Sequence, residues 1–290
     1  MAVYNTSNEA YDNGEGLAET SLLTLKDGTV VDSDNPLPVV GTISAGTIGV
    51  EPYGLRVAKG DIAGTSSVHK FGYNYDIDKD SDPETVWTAG GLYPWGDLNS
   101  PITLYIKSDD NDDDGDIEIQ GLDANWDLIT ETVSMNGTSN VTTTNTFRRV
   151  FRAKYDGPAS GGYATNNQGT ITIKDGSGGG ATTVAQIEET QNQTLMAVYT
   201  VPNGKTAYMT KFNIGVEYTK KGATFTLYMR EFGSNFKIKH RAEINEGTHT
   251  VDFPVPLKIT AKTDIDIVID EVGDNDTKVS GGFDLYLVDN

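Results

Sequence analysis

The stretch Ile119–Val150, IQGLDANWDLITETVSMNGTSNVTTTNTFRRV, alternates apolar and polar residues, breaks at Asn136-Gly137 and resumes through Thr and Val. A period of two sends successive side chains to opposite faces, which suits a half-buried strand and no helix. The Asn-Gly pair suits the positive backbone angles of a tight turn, so Leu128–Met135 and Val141–Thr146 are expected to meet there as a hairpin.

The pattern extends over most of the chain. Ile102–Lys107, Asp116–Leu122, Phe147–Tyr155, Gly169–Lys174 and Thr182–Ile187 read as strands, the last two flanking the linker-like DGSGGG. A second set runs through Leu195–Val201, Lys205–Tyr218, Thr224–Phe232, Phe236–His240, Thr248–Phe253, Ile265–Asp270 and Gly282–Leu287. In this set ATFTLYMREF and DIDIVID alternate cleanly, which predicts one buried and one wet face for each. Glycine, 32 of 290 residues, exceeds its usual share of about 7% and favours many turns. The expected class is all-β, in three parts. An extended N-terminal arm covers 1–68. A β-sandwich with an aromatic loop and an acidic hairpin covers 69–190. A jelly-roll-like β-sandwich covers 191–290.

The first 68 residues differ from the rest. Short apolar pieces, Thr29–Val31, Leu37–Val40 and Thr47–Val50, are separated by Asp-Gly, Asn-Pro and Ala-Gly. Asn35-Pro36-Leu37-Pro38 enforces extended geometry, because proline fixes its own φ and restricts the residue before it. No piece is long enough to build a core. The segment reads either as a leader or as an arm that orders by pairing with a neighbouring subunit, and the regular apolar recurrence favours the arm.

Charge and composition exclude several classes. The net charge of −20 repels phosphate backbones, so no direct nucleic-acid partner is expected. The absence of cysteine removes disulfides, thiolate metal sites and cysteine nucleophiles. No 18-residue apolar run occurs, so no membrane insertion is expected. The opening twenty residues lack the basic start and apolar stretch of a secretory signal.

The acidic run DDNDDDGDIE, Asp109–Glu118, is the one motif with chemical content. Asp110, Asp112 and Asp114 alternate ahead of Gly115, as in the first half of a calcium loop, and Asp116 and Glu118 add carboxylates. The closing position of such a loop is Gly121 and no flanking helix is expected. The alternatives are therefore a looser calcium site and a solvated hairpin tip. The alternation Asp76, Asp78, Asp80, Asp82 has no glycine in phase. His69, His240 and His249 are scattered, and no nucleophile elbow, zinc-protease helix or P-loop is present; no enzyme and no cofactor are expected. Phe71, Tyr73, Tyr75, Trp87, Tyr93 and Trp95 crowd a turn-rich segment that fills a gap between sheets if buried and offers a glycan platform if exposed. Arg148, Arg149 and Arg152 either contact an acidic neighbour or neutralise the local aspartates.

Three phrases, KFGYNYDI…DPETVWTAGGLYPW, the Ile119–Val150 stretch and QTLMAVYTVPNGKTAYMTKF, occur in an order that resembles a family of virion structural proteins of tailed bacteriophages, over roughly residues 69–215. DGTVVDSDNPLPV is similar to phrases near the starts of phage particle proteins. The resemblance implies assembly on the particle exterior rather than catalysis, and it brings no catalytic residues. It points to a capsid decoration or cement protein whose partners are the major capsid protein and further copies of itself, as a homo-oligomer such as a trimer. The other reading is a tail or fibre component with a C-terminal domain for host surface glycans. The acidic run is longer than the family leads one to expect.

Overall fold

The computed structural model describes residues 51–157, 166–217 and 221–290, together with the backbone of two short strands, β1 (Tyr4–Thr6) and β2 (Leu22–Thr24). Contacts divide the chain into Met1–Pro52 and Tyr53–Asn290. In the leading unit β1 and β2 pair antiparallel. The pieces expected at Thr29–Val31, Leu37–Val40 and Thr47–Val50 lie outside the described residues.

The body begins with a short helix, α1 (Tyr53–Ala58), which buries Val57. Strands β3 (Thr65–Ile77) and β4 (Glu84–Thr85) follow. Next come β5 (Ile102–Ser108), β6 (Asp116–Leu122), β7 (Leu128–Ser134), β8 (Val141–Phe147), β9 (Arg149–Asp156), β10 (Ile171–Lys174) and β11 (Thr183–Ile187). These seven form two facing sheets, ordered β11-β10-β5-β8 and β7-β6-β9. Their inward residues, among them Leu104, Ile106, Ile117, Ile119, Phe147 and Ile171, make one core with Trp87, Tyr93 and Trp95 from the preceding loop.

The remaining strands are β12 (Val198–Thr200), β13 (Lys205–Val216), β14 (Ala223–Arg230), β15 (Lys237–Ile244), β16 (Gly247–Ile259), β17 (Asp264–Val272) and β18 (Thr277–Asp289). They form the second sandwich, with sheets β16-β13-β18-β3 and β12-β17-β14-β15; β4 also pairs with β17. Phe212, Phe225, Leu227, Ile267 and Phe283 fill its centre. Every strand pair named here is antiparallel. The chain is all-β, as its periodicity requires.

Strand pairing runs across both boundaries expected from the sequence. β3 starts at Thr65, inside the 1–68 segment, and pairs along its length with β18 at the far end of the chain. β4, from the 69–190 segment, joins β17. The second sandwich thus takes its edge strand from the first third of the chain, and the leading unit ends at Pro52 rather than at 68.

The Asn136-Gly137 turn does not close a hairpin. β7 pairs with β6 and β8 pairs with β5, in opposite sheets, so the turn carries the chain across the sandwich. Gly137 has φ +52°, as the motif requires, but its amide donates to Asp113 O and its carbonyl accepts from Ser108 N. The hairpin in this region is β6–β7, closed by Asp123, whose Oδ1 accepts the amides of Asn125 (2.8 Å) and Asp127 (2.9 Å); such aspartate turns need no glycine.

Candidate functional site

The candidate site lies on the outward face of β17. Ile265, Ile267 and Ile269 enter the core of the second sandwich, so the alternation turns Asp264, Asp266, Val268 and Asp270 the other way. That second face was expected to be wet. It is not: Asp264 is 2% and Asp266 3% exposed, because the first sandwich and the loop after β4 lie over it.

Buried carboxylates persist only when they are paired and hydrogen-bonded. Asp264 is both. Its Oδ1 accepts from Arg149 Nε (2.9 Å) and Thr200 Oγ1 (2.6 Å). Its Oδ2 accepts from Arg149 Nη2 (3.1 Å), Arg230 Nε (2.9 Å) and Arg230 Nη2 (2.6 Å). Arg149 Nη1 donates to the carbonyls of Leu98 (2.6 Å) and Arg148 (2.8 Å). Of the three arginines singled out in the sequence, Arg149 therefore ties the two sandwiches together. Arg148 donates to Asn99 O and lies 4.9 Å from the Trp126 ring, and Arg152 donates to His69 O (2.8 Å).

Asp266 is satisfied on one side only. Oδ2 accepts from Trp95 Nε1 (2.7 Å) and Thr85 Oγ1 (3.2 Å). Oδ1 is buried and has no partner among the described residues. Burial is the main cause that pushes this carboxyl up to about 7, with Asp264 adding to it, while the Trp95 and Thr85 hydrogen bonds and Arg230 oppose it. Trp95 carries Arg149 at 5.4 Å and Arg230 at 5.7 Å from its ring, and Arg230 also lies 4.7 Å from Phe236.

A cleft of about 260 Å³ opens over Asp266, walled by Tyr93, Trp95, Tyr228 and Phe236 with Asp270 beside them. An apolar cleft with few polar groups and a perturbed carboxyl is the usual form of a small-molecule site. Its shape depends on the turn after β4. Trp87 Nε1 donates to the carbonyls of Gly90 (3.0 Å) and Gly91 (2.9 Å), and Glu84 Oε2 accepts the Gly91 amide (2.9 Å). Gly90 and Gly91 have φ +71° and +63°, left-handed values that glycine adopts without strain. The crowded aromatics separate accordingly: Trp87, Tyr93 and Trp95 are buried, and Phe71, Tyr73 and Tyr75 line up on β3 with Tyr75 exposed. A second pocket of about 230 Å³ lies on the other side of Arg230, walled by Trp126, Arg148, Phe232, Lys262 and Asp264.

The five calcium candidates do not converge. Asp110 Oδ1 accepts the Asp112 amide (2.8 Å) in a local turn, Asp116 Oδ1 accepts from Ser134 Oγ (2.7 Å), and Glu118 Oε1 accepts from Gln120 Nε2 (2.8 Å) and Lys154 Nζ (3.2 Å). Among the described residues no group of three metal-ligating side chains includes Asp114. The organising residue of the loop is Asp113, out of phase with the motif and fully buried. Asp113 Oδ1 accepts the Gln168 amide (2.7 Å), and Oδ2 accepts the Gly169 amide (3.0 Å) and Ser108 Oγ (2.5 Å). Among the described residues the group of three acidic side chains whose oxygens lie within 4.8 Å of one another is Asp76, Asp78 and Asp276, all exposed.

The histidines form no trio. His69 Nδ1 lies 2.5 Å from Asp284 Oδ1 on the surface, while His240 and His249 stack with centroids 6.0 Å apart. Lys70, 3% exposed, donates to Phe151 O; burial first, then Arg152, holds its amine well below the ordinary lysine range. Among the described residues no helix is long and apolar enough to cross a membrane.

No protein-family model and no curated protein matches the chain. Among solved structures it is similar to the PBSX exported protein XepA, at 10% identity over 76% of this chain and 84% of that one, with a TM-score of 0.19. It is similar to a Cry1Da tryptic core variant of Bacillus thuringiensis at 8% identity, over 73% of this chain and 53% of that one, with a TM-score of 0.20. For the VP2 subviral particle of infectious bursal disease virus the figures are 13%, 77%, 72% and 0.22. Likenesses at this level carry no argument about activity.

Proposed function

We propose that the chain is a virion structural protein of a tailed bacteriophage, a capsid decoration or cement protein that sits on the particle exterior and acts by docking, not by catalysis. Residues Met1–Pro52 are the docking segment, contacting the major capsid protein, and Tyr53–Asn290 is the body that adds bulk and contacts further copies. The observation that carries the reading is the division of the chain into two units, Met1–Pro52 and Tyr53–Asn290, the second of which closes its own internal seam with the Arg149–Asp264 ion pair. The resemblance of the ordered phrases to phage particle proteins supports the particle as the place of action. A stable interface buries about 1,600 Å² in total, which some 50 residues of chain can provide.

Densitometry of purified particles against the major capsid band tests it. Copies on the order of hundreds per particle support decoration, and about six to eighteen mark a closed tail ring instead. Absence from particles ends the reading. A chain lacking Met1–Pro52 should keep the melting temperature of the body and lose incorporation; undiminished incorporation would refute the role of that segment.

A further inference from the structure

We infer that the cleft over Asp266 is a binding site for one neutral pyranose ring, such as the exposed end of a glycan. The inference goes beyond the particle role and needs only the purified chain.

The cleft first sets the size of the ligand. At about 260 Å³ it lies just below the range of about 300–1,000 Å³ that holds drug-sized molecules, so it admits a single ring and not a chain of them. Its walls set the shape. Tyr93, Trp95, Tyr228 and Phe236 give flat, apolar surfaces, with Trp95 and Tyr93 4.6 Å apart and Phe236 5.7 Å from Trp95. A ring with an apolar face of C–H bonds packs on such walls.

The polar group then sets the chemistry. Asp266 lines the cleft, is 3% exposed, and has an Oδ1 with no hydrogen bond among the described residues. A buried polar atom left unpaired is costly. A purely apolar ligand would leave that cost in place, whereas a ligand hydroxyl removes it once the carboxyl turns Oδ1 toward the cleft, by donating to it or, when the carboxyl is protonated, by accepting from it.

Charge decides between a neutral and a cationic ligand. Arg149 and Arg230 already face Asp264 and lie against Trp95, and Arg230 also covers Phe236. Two guanidinium groups therefore stand beside the two carboxylates of Asp264 and Asp266. An ammonium ligand would bring surplus positive charge into a buried seam. An anion would meet Asp266 and Asp270. A polyhydroxyl ring carries no charge and meets neither objection.

The test is ligand-observed NMR titration of the full chain with the methyl glycosides of glucose, galactose, mannose and N-acetylglucosamine, and with tetramethylammonium as the cationic control. At least one glycoside should bind with a Kd on the order of 1 mM, the weak affinity that the few heavy atoms of one ring allow. Asp266→Ala should weaken that binding at least tenfold. Tyr228→Ala, at a half-buried wall residue outside the ion-pair network, should do the same with the melting temperature retained; it decides the matter if the Asp266 variant does not fold. The proposal is overturned if no glycoside binds below 10 mM, if binding survives Tyr228→Ala unchanged, or if tetramethylammonium binds in the cleft and the glycosides do not. None of these outcomes alters the copy-number test, and an absence from particles would leave the sugar titration intact.

Discussion

Arg149 and Asp264 meet as a bidentate pair, Nε to Oδ1 at 2.9 Å and Nη2 to Oδ2 at 3.1 Å, with both side chains 3% exposed. The pair joins β9 of the first sandwich to β17 of the second. Removing one member of a buried pair strands the other, at a typical cost of about 3–5 kcal/mol. Arg230 also holds Asp264 Oδ2, which places Arg149→Met at the lower end of that range. The triple variant Arg149→Met/Asp264→Leu/Arg230→Met, which leaves no guanidinium stranded, should recover part of the loss, since apolar residues of similar volume often replace buried ion pairs without penalty. Urea midpoints of the parent and the two variants check this; a single-variant loss below about 1 kcal/mol would mean that the pair contributes no net stability.

Asp266 gives the seam a pH dependence of known sign. Its carboxyl titrates near 7 in the fold against 3.8 when free. From about pH 4 upward the unfolded chain has released a proton that the folded chain still holds. Stability attributable to this group is therefore complete below pH 4, falls as pH rises to 7, and is level above. Asp266→Asn keeps an acceptor for Trp95 and Thr85 and removes the titration. The variant should gain stability relative to the parent across pH 4–7, by on the order of 2–4 kcal/mol in total for a shift of this size at a buried site. Parallel denaturation curves at pH 4 and pH 8 settle it, and an unchanged difference between the two proteins would exclude the assignment.

Much of the fold could be read from the sequence because strand signals are local. Asp116–Leu122 reproduces β6 to the residue, and most other expected strands agree to within a few positions. What escaped depends on partners far along the chain. The residues of β3 read as the end of an arm and the start of a loop, because Lys70 and Asn74 interrupt its apolar face; β18, some 200 residues downstream, supplies its pairing. DIDIVID showed its period but not what covers its second face, so Asp264 and Asp266 were expected in water. In the acidic run the calcium-like phase drew attention to Asp110, Asp112 and Asp114, while Asp113 makes the buried contacts. The cleft combines residues 93, 95, 228, 236 and 266 from three separated stretches, which no motif reports.

Gly72 marks a place where two backbones meet. A Cβ there would lie 2.1 Å from Val86 O and 2.4 Å from Ala197 N, atoms that share a hydrogen bond of 2.9 Å. Glycine inside a strand is a recognised sign of such an approach. Gly72→Ala must displace backbone rather than a flexible side chain, so it should cost at least about 3 kcal/mol, the upper end of ordinary overpacking. Gly178→Ala, where a Cβ meets open space, should stay within about 0.5 kcal/mol. Thermal melts of the two variants compare them directly, and equal melting temperatures would contradict the close contact.

His240 gives the second sandwich a pH dependence on the acid side. Their rings stack 6.0 Å apart between β15 and β16, with Phe212 5.1 Å from His240 and Phe225 5.6 Å from His249. Both Nε2 atoms are buried without partners. Burial, then the charge of His249, lowers the pKa of His240 from its ordinary 6.5. As pH falls below 6.5 the unfolded chain takes up a proton that the folded chain resists, so stability present above 6.5 is lost as pH drops through the lower folded value. The many carboxylates act in the same interval, since neutralising part of a −20 charge relieves self-repulsion. The informative quantity is therefore the difference between the parent and His240→Asn. Between pH 7.5 and pH 5 the melting temperature of the parent should fall more than that of the variant. Identical slopes would show that the stacked rings accept the proton without penalty.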